Sequence, residues 1–105
     1  MRISVLLVMG RDRRLLLLEQ LEACGIDVLS VSDCKEARQL LQKRPAVPIV
    51  LTDEKLSDGG WLTILGEVRR NRLDAETIVC SRLGDAGLWV RALAHGAYDL
   101  LVEPY

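Results

Sequence analysis

Asp53 closes a short apolar run, Pro48-Ile49-Val50-Leu51-Thr52, of the kind that forms a buried strand. In an open α/β sheet the carboxyl ends of the strands form the ligand crevice, so a carboxylate placed there has access to chemistry. What chemistry depends on its neighbours. Several carboxylates together hold a hard divalent cation through oxygen, and a lone one does not. The run expected beside it, Val5-Leu6-Leu7-Val8, ends in Met9-Gly10, and neither residue carries a side-chain oxygen. In its plainest role a strand-end aspartate is a turn former.

Other reactive residue types are scattered. Met9-Gly10-Arg11-Asp12-Arg13-Arg14 joins a glycine turn to a helix start with three arginines nearby, which is a means of receiving an anion through backbone N–H groups and guanidinium charge. The residues favour a simpler arrangement, a solvated first turn in which Arg11 or Arg13 pairs with Asp53 or Glu103. No Gly-x-x-x-x-Gly-Lys or Gly-x-Gly-x-x-Gly motif accompanies the turn. Cys80-Ser81 offers nucleophile types without a base in pattern, and a cysteine at a strand end reads as core. His95, beside Gly96, falls at a helix C-terminus with no Cys or His partner at a metal spacing. Arg69, Arg70 and Arg72 form a basic spot flanked by Glu67, Asp74 and Glu76. Without interleaved aromatics for base stacking, it gives no reason to expect nucleic-acid contact by this domain alone.

The elements that must position Asp53 follow from hydrophobic periodicity. Short β-rich blocks fall near residues 3–8, 26–31, 48–52, 77–80 and 99–102, with longer amphipathic blocks between them. The first amphipathic block predicts a helix over about 13–24, capped by Asp12, with Leu17, Leu18, Leu21 and Cys24 on its apolar face and Gly25 as its stop. Asp33-Cys34-Lys35-Glu36 has the form of a capping box for a second helix ending near Lys43, before Pro45. Gly59-Gly60 leads into a third, Trp61 to Arg70, whose basic end complements the helix dipole. Asp85 opens a fourth, through Leu88, Trp89, Ala92 and Leu93 to Gly96. Strands alternating with helices demand a parallel sheet. The class is α/β.

Composition agrees with one globular domain. The 105 residues are 50% hydrophobic and 28% charged, while only 4% are aromatic, so aliphatic runs such as Leu15-Leu16-Leu17-Leu18 must supply the core. A net charge of -1 gives no global reason to expect a polyanion partner. Three cysteines, Cys24, Cys34 and Cys80, are an odd number in core-like segments and read as reduced apolar filler in a cytoplasmic protein. The first residues form a strand rather than a signal peptide, and no apolar run reaches the roughly 20 residues that span a bilayer, so no membrane association is expected.

With that order of elements in place, the chain resembles the receiver domain of two-component response regulators, a CheY-like, flavodoxin-like fold. The resemblance is carried by Leu51-Thr52-Asp53-Glu54-Lys55-Leu56-Ser57-Asp58-Gly59-Gly60 and by Gly96-Ala97-Tyr98-Asp99-Leu100-Leu101-Val102-Glu103-Pro104-Tyr105. It implies a doubly wound five-stranded parallel sheet of order 2-1-3-4-5 over residues 1–105, short only of the family's fifth helix. By resemblance Asp53 matches the phosphoacceptor, Ser81 the switch Ser/Thr, and Tyr98 the aromatic switch. Three chemical positions depart from the pattern. The acidic pair falls on Met9 and Gly10, and the lysine preceding Pro104 is Glu103.

Those departures act on the chemistry the resemblance implies. Aspartyl phosphate forms with a Mg²⁺ neutralising the acidic pair, the acceptor and the incoming phosphoryl group. Glu103 places a negative charge where the family has a cation, and a like charge about 4 Å away costs about 4 kcal/mol at an effective dielectric near 20. The expectation is therefore a degenerate receiver. It is a signalling module of a two-component phosphorelay, not an enzyme, acting through contact with a histidine kinase, an output domain or a second copy of itself. Phosphorylation at Asp53 is weak or absent, and no metal or other cofactor is expected. The alternatives are a phosphoaccepting receiver with an unconventional Mg²⁺ site using Asp12 or Glu103, and a small anion-binding protein or enzyme using the strand-one loop. Without a fifth helix, aliphatic surface on Ile78-Val79 and Leu100-Leu101-Val102 is expected to be partly bare, as for a dimer, a partner-bound domain or a piece of a longer protein.

Overall fold

The computed structural model describes residues 3–43, 46–71, 74–82 and 86–103. Among the described residues seven strands and four helices follow in the order β1 (Ser4–Val8), α1 (Arg11–Ala23), β2 (Asp27–Val31), α2 (Cys34–Lys43), β3 (Ile49–Asp53), β4 (Lys55–Leu56), β5 (Gly59–Gly60), α3 (Trp61–Arg70), β6 (Glu76–Ser81), α4 (Ala86–Ala94) and β7 (Asp99–Val102). The main sheet runs β2-β1-β3-β6-β7 with every neighbouring pair parallel. This is the expected order 2-1-3-4-5 once β4 and β5 are set apart as a small antiparallel hairpin. The hairpin was not expected, because two-residue strands leave no periodicity to detect.

The central strands are apolar on both faces, and their alternation sorts the core into layers. Leu6 and Val8 of β1 and Val50 of β3 pack with Cys34, Ala37, Leu41, Ile64 and Val68 of α2 and α3. Val5, Leu7 and Leu51 point the other way, with Met9 and Cys80, onto Leu17 of α1. Trp61, Leu65, Val79, Leu88, Ala92 and Ala97 fill the space toward α4. Among the described helices α1 alone packs with the Val5–Leu7 layer, where Ile49, Ile78 and Leu101 stay half-buried. The expected bare strip is thus only partly present. Val79 is fully buried, Ile78, Leu100 and Leu101 are half-buried, and Val102 is exposed.

Several local expectations change. Asp12 does not cap α1: Gly10 occupies the cap position, no side chain closes that end, and Asp12 lies in the first turn. The leucine run splits, with Leu17 buried while Leu15 and Leu16 are 61% and 57% exposed. Cys24, expected on the buried face, is exposed because the helix ends at Ala23 and the chain turns through Gly25 at φ 78°. At α2, Asp33 Oδ1 accepts from the Glu36 N–H at 2.8 Å as a capping box requires, but Glu36 reaches back to the Ser32 N–H instead of the Asp33 N–H. Pro45, Arg72, Asp85 and Pro104 lie outside the described residues.

None of the three cysteines forms a disulfide, and Cys34 and Cys80 are buried. Burial, reinforced by the Asp58 carboxylate, pushes the Cys34 thiol up to about 11. Since the thiolate is the reacting species, a thiol reagent is expected to modify Cys24 promptly in the folded protein and to reach Cys34 and Cys80 only after denaturant is added. Labelling followed by peptide mass analysis checks this, and rapid modification of Cys34 in native buffer would contradict it.

Candidate functional site

Parallel pairing brings the carboxyl ends of β1, β3, β6 and β7 to one edge, with Val8 level with Thr52, Asp53 with Cys80 and Ser81 with Val102. A cleft of about 690 Å³ opens there, lined by α1 residues Asp12 and Arg13, by Ser32, by Asp53 to Ser57, and by Arg82. The hairpin β4–β5 forms one wall. It is held by Asp58, whose two carboxylate oxygens accept from the backbone N–H groups of Cys34 and Lys35 at 2.8 and 3.0 Å. These N–H groups belong to the first turn of α2, where a carboxylate is favoured by the unpaired donors and the dipole. They hold the Asp58 carboxyl below the ordinary range.

Asp53 is 2% exposed at the floor of the cleft. Its Oδ1 accepts from Arg13 Nη1 at 2.7 Å and from the Glu54 N–H at 2.9 Å. The same guanidinium donates through Nη2 to Glu103 Oε1 at 3.0 Å. Burial pushes the Asp53 carboxyl above the ordinary range, while Arg13, the Glu54 N–H and Arg82 oppose that rise and Glu103 adds to it. Ser81, fully buried, donates its hydroxyl to Glu54 Oε1 at 3.0 Å, and its carbonyl accepts from the Glu103 N–H at 3.0 Å.

These contacts close on themselves. Asp53, Arg13, Glu103, Ser81 and Glu54 form a ring of hydrogen bonds that joins α1, the ends of β3 and β6, and the residue after β7. The positive centre of the ring is a guanidinium, planar and permanently charged, suited to two carboxylates at once. Of the two arginines considered from sequence, Arg13 takes both acidic partners. Arg14 turns instead to Ser32 Oγ at 3.2 Å.

Of the positions from which a divalent cation would draw oxygen here, one is engaged and two have none to give. Asp53 Oδ1 already accepts two hydrogen bonds, Met9 is a fully buried core residue, and Gly10 has no side chain. Among the described residues no group of three or more His, Cys, Asp or Glu side chains is gathered as a metal site.

Asp53, Ser81, Gly10 and Glu103 are brought to this edge. Tyr98 is not. It precedes β7, is 64% exposed, and its N–H donates to the Thr77 carbonyl at the opposite end of β6. Ser81 lies four steps along β6 from Thr77, about 13 Å at the rise of a strand, so Tyr98 does not reach Ser81. Glu54 was passed over in sequence because an exposed-looking glutamate after a strand has no pattern of its own. Elsewhere, the basic spot is partly neutralised internally, since buried Glu67 accepts from Arg38 at 3.0 Å and Arg70 at 3.4 Å. His95 sits just past α4, where its ring meets Trp61 edge-on at 5.9 Å and its carbonyl accepts from Arg69.

Comparison with known proteins gives a consistent picture. No family model matches the chain. Over 93 residues it is 31% identical to the response regulator protein PilR of Pseudomonas aeruginosa, a match covering 89% of this chain and 21% of that protein's length. Among solved structures, a response regulator receiver domain from Clostridium thermocellum superposes with a TM-score of 0.85 at 23% identity, covering 98% of this chain and 83% of the other. A chain of the CheX-CheY-BeF3-Mg complex from Borrelia burgdorferi gives 0.85 at 24% identity, covering 98% and 79%. At those identities the structures speak for the fold.

Proposed function

The chain is a CheY-like receiver domain of the response-regulator kind, and from that premise we propose that it is a degenerate receiver, a signalling module working by protein contact with Asp53 withdrawn from phosphoryl transfer. The observation that carries this reading is the Arg13 guanidinium, hydrogen-bonded to both Asp53 and Glu103. Attack of the Asp53 carboxylate on a phosphoryl group through Oδ1 would have to displace Arg13, and the added negative charge would face Glu103 without a divalent cation to neutralise it. Catalysis of any other kind has no support in the ring, where Asp53, Glu54, Ser81 and Glu103 bond to one another or to Arg13.

Contact surfaces are available for such a role. Trp89, Val90 and Leu93 of α4 are 50%, 62% and 42% exposed, with Tyr98 and Val102 following in the chain. Apolar surface of this kind suits a protein partner, here a histidine kinase, an output domain or a second copy of the chain. Residues 1–105 serve as one receiver-like unit on this reading, in the cytoplasm, and none of the described helices is long and apolar enough to cross a membrane.

The test is mass spectrometry of the intact chain after incubation with Mg²⁺ and a small-molecule phosphodonor. The expected result is an unmodified mass. A phosphoryl adduct that disappears in Asp53→Asn would establish the alternative, a phosphoaccepting receiver, for which the position of Asp53 at the floor of an open cleft is the supporting feature.

A further inference from the structure

Four links of the ring involve a backbone N–H or the Arg13 guanidinium, and one joins two uncharged or anionic side chains across the sheet edge, Ser81 Oγ to Glu54 Oε1. Both ends are held. The Glu54 N–H is shared between Asp53 Oδ1 and the Cys80 carbonyl, each at 2.9 Å, and the Glu54 carbonyl accepts from the Trp61 N–H at 3.2 Å. Ser81 has no exposed surface, so its hydroxyl depends on an internal acceptor, and a charged acceptor makes the stronger bond. The next residue, Arg82, lines the same cleft and acts electrostatically on Asp53.

We infer that the Glu54 carboxylate is a resident ligand of Ser81, a latch that holds the end of β6 and Arg82 after it in one position without any external anion. This rests on the reading of the cleft as satisfied by its own side chains and adds how that state is transmitted. With Glu54 in place, the Ser81 hydroxyl has no open valence to offer an arriving oxyanion. With Glu54 shortened, Ser81 and Arg82 together become a small-anion site.

Amide NMR of the full chain tests the latch. Glu54→Ala and Ser81→Ala are expected to move the same signals, those of Arg82 and the end of β6, and the double variant to match either single one, as coupled partners do. Glu54→Gln keeps the size and an acceptor oxygen and should stay close to the parent spectrum, which also guards against a variant that merely fails to fold. Added acetate should return the Glu54→Ala signals toward the parent positions and leave Ser81→Ala unmoved. Additive shifts confined to the two substituted positions, or no response to acetate, would overturn the latch. All four variants keep Asp53 and Arg13, so a phosphoryl adduct at Asp53 would refute the degenerate-receiver reading independently of this result.

Discussion

Replacing Arg13 with alanine is expected to destabilise the domain by about 2 kcal/mol at neutral pH, lowering Tm by roughly 10 °C for a chain of this size. The Arg13 side chain is only 16% exposed and that of Asp53 3%, so water cannot replace the lost guanidinium freely. Removing one partner of such a pair leaves the other charge buried and uncompensated, which costs more than the pair contributed. The loss carries a pH signature. Burial already lifts the Asp53 carboxyl, so the folded state binds its proton more readily than the unfolded chain does, and without Arg13 the lift grows. The penalty is full above the raised folded value and shrinks as pH falls through it toward the unfolded value. Thermal unfolding of both proteins from neutral to acid pH checks this. A deficit independent of pH would show that Arg13 acts through packing alone.

The same substitution should uncover cation binding. Without the guanidinium, Asp53 and Glu103 lose the positive charge that bridges them, and Asp12 and Glu54 line the same cleft as Asp53. Millimolar Mg²⁺ or Ca²⁺ is expected to recover part of the lost stability of Arg13→Ala by mass action and to leave the parent chain unshifted. An equal shift in both proteins would mean that Arg13 does not occupy the place a cation would take.

Gly60→Ala is expected to cost a further large amount, about 2 kcal/mol, for a steric reason. A Cβ at Gly60 would stand 2.6 Å from the Glu54 carbonyl oxygen, a backbone atom that already accepts from the Trp61 N–H. The backbone must give way, and it is the backbone that aims the Glu54 carboxylate at Ser81. Gly66→Ala is the internal control. Nothing lies within 4 Å of its added Cβ, and in α3 the change should stabilise by about 0.5–1 kcal/mol through helix propensity. Chemical denaturation of the two variants reads both effects, and equal stabilities would remove the close-approach argument.

The sheet was legible because Val5 to Val8 and Ile49 to Leu51 are apolar without interruption, as central parallel strands require. The helices were legible to within two residues for the same reason of period. Their faces were harder, since four consecutive leucines at 15–18 carry no phase, and only packing decided that Leu17 goes in while Leu15 and Leu16 stay out. At the site, the positions lost from the pattern could be read directly, as Met9, Gly10 and Glu103. What replaced them could be narrowed to two arginines but not chosen, because whether Arg11 or Arg13 reaches Asp53 depends on where the first turn of α1 begins. The expectation of Asp12 as cap placed that start two residues late. Tyr98 failed for a related reason: a strand that begins at Asp99 puts the tyrosine at the far end from Ser81.

The ring around Asp53 also bears on what kind of information such a domain carries. A sensor that waits for an event has two populations, before and after, and its message is their ratio. In the degenerate receiver proposed above, where Asp53 takes no phosphoryl group, that ratio is fixed at synthesis. The variable left to the cell is then how many copies exist and where they stand. Timing passes from a kinase's turnover to the rates of expression and removal.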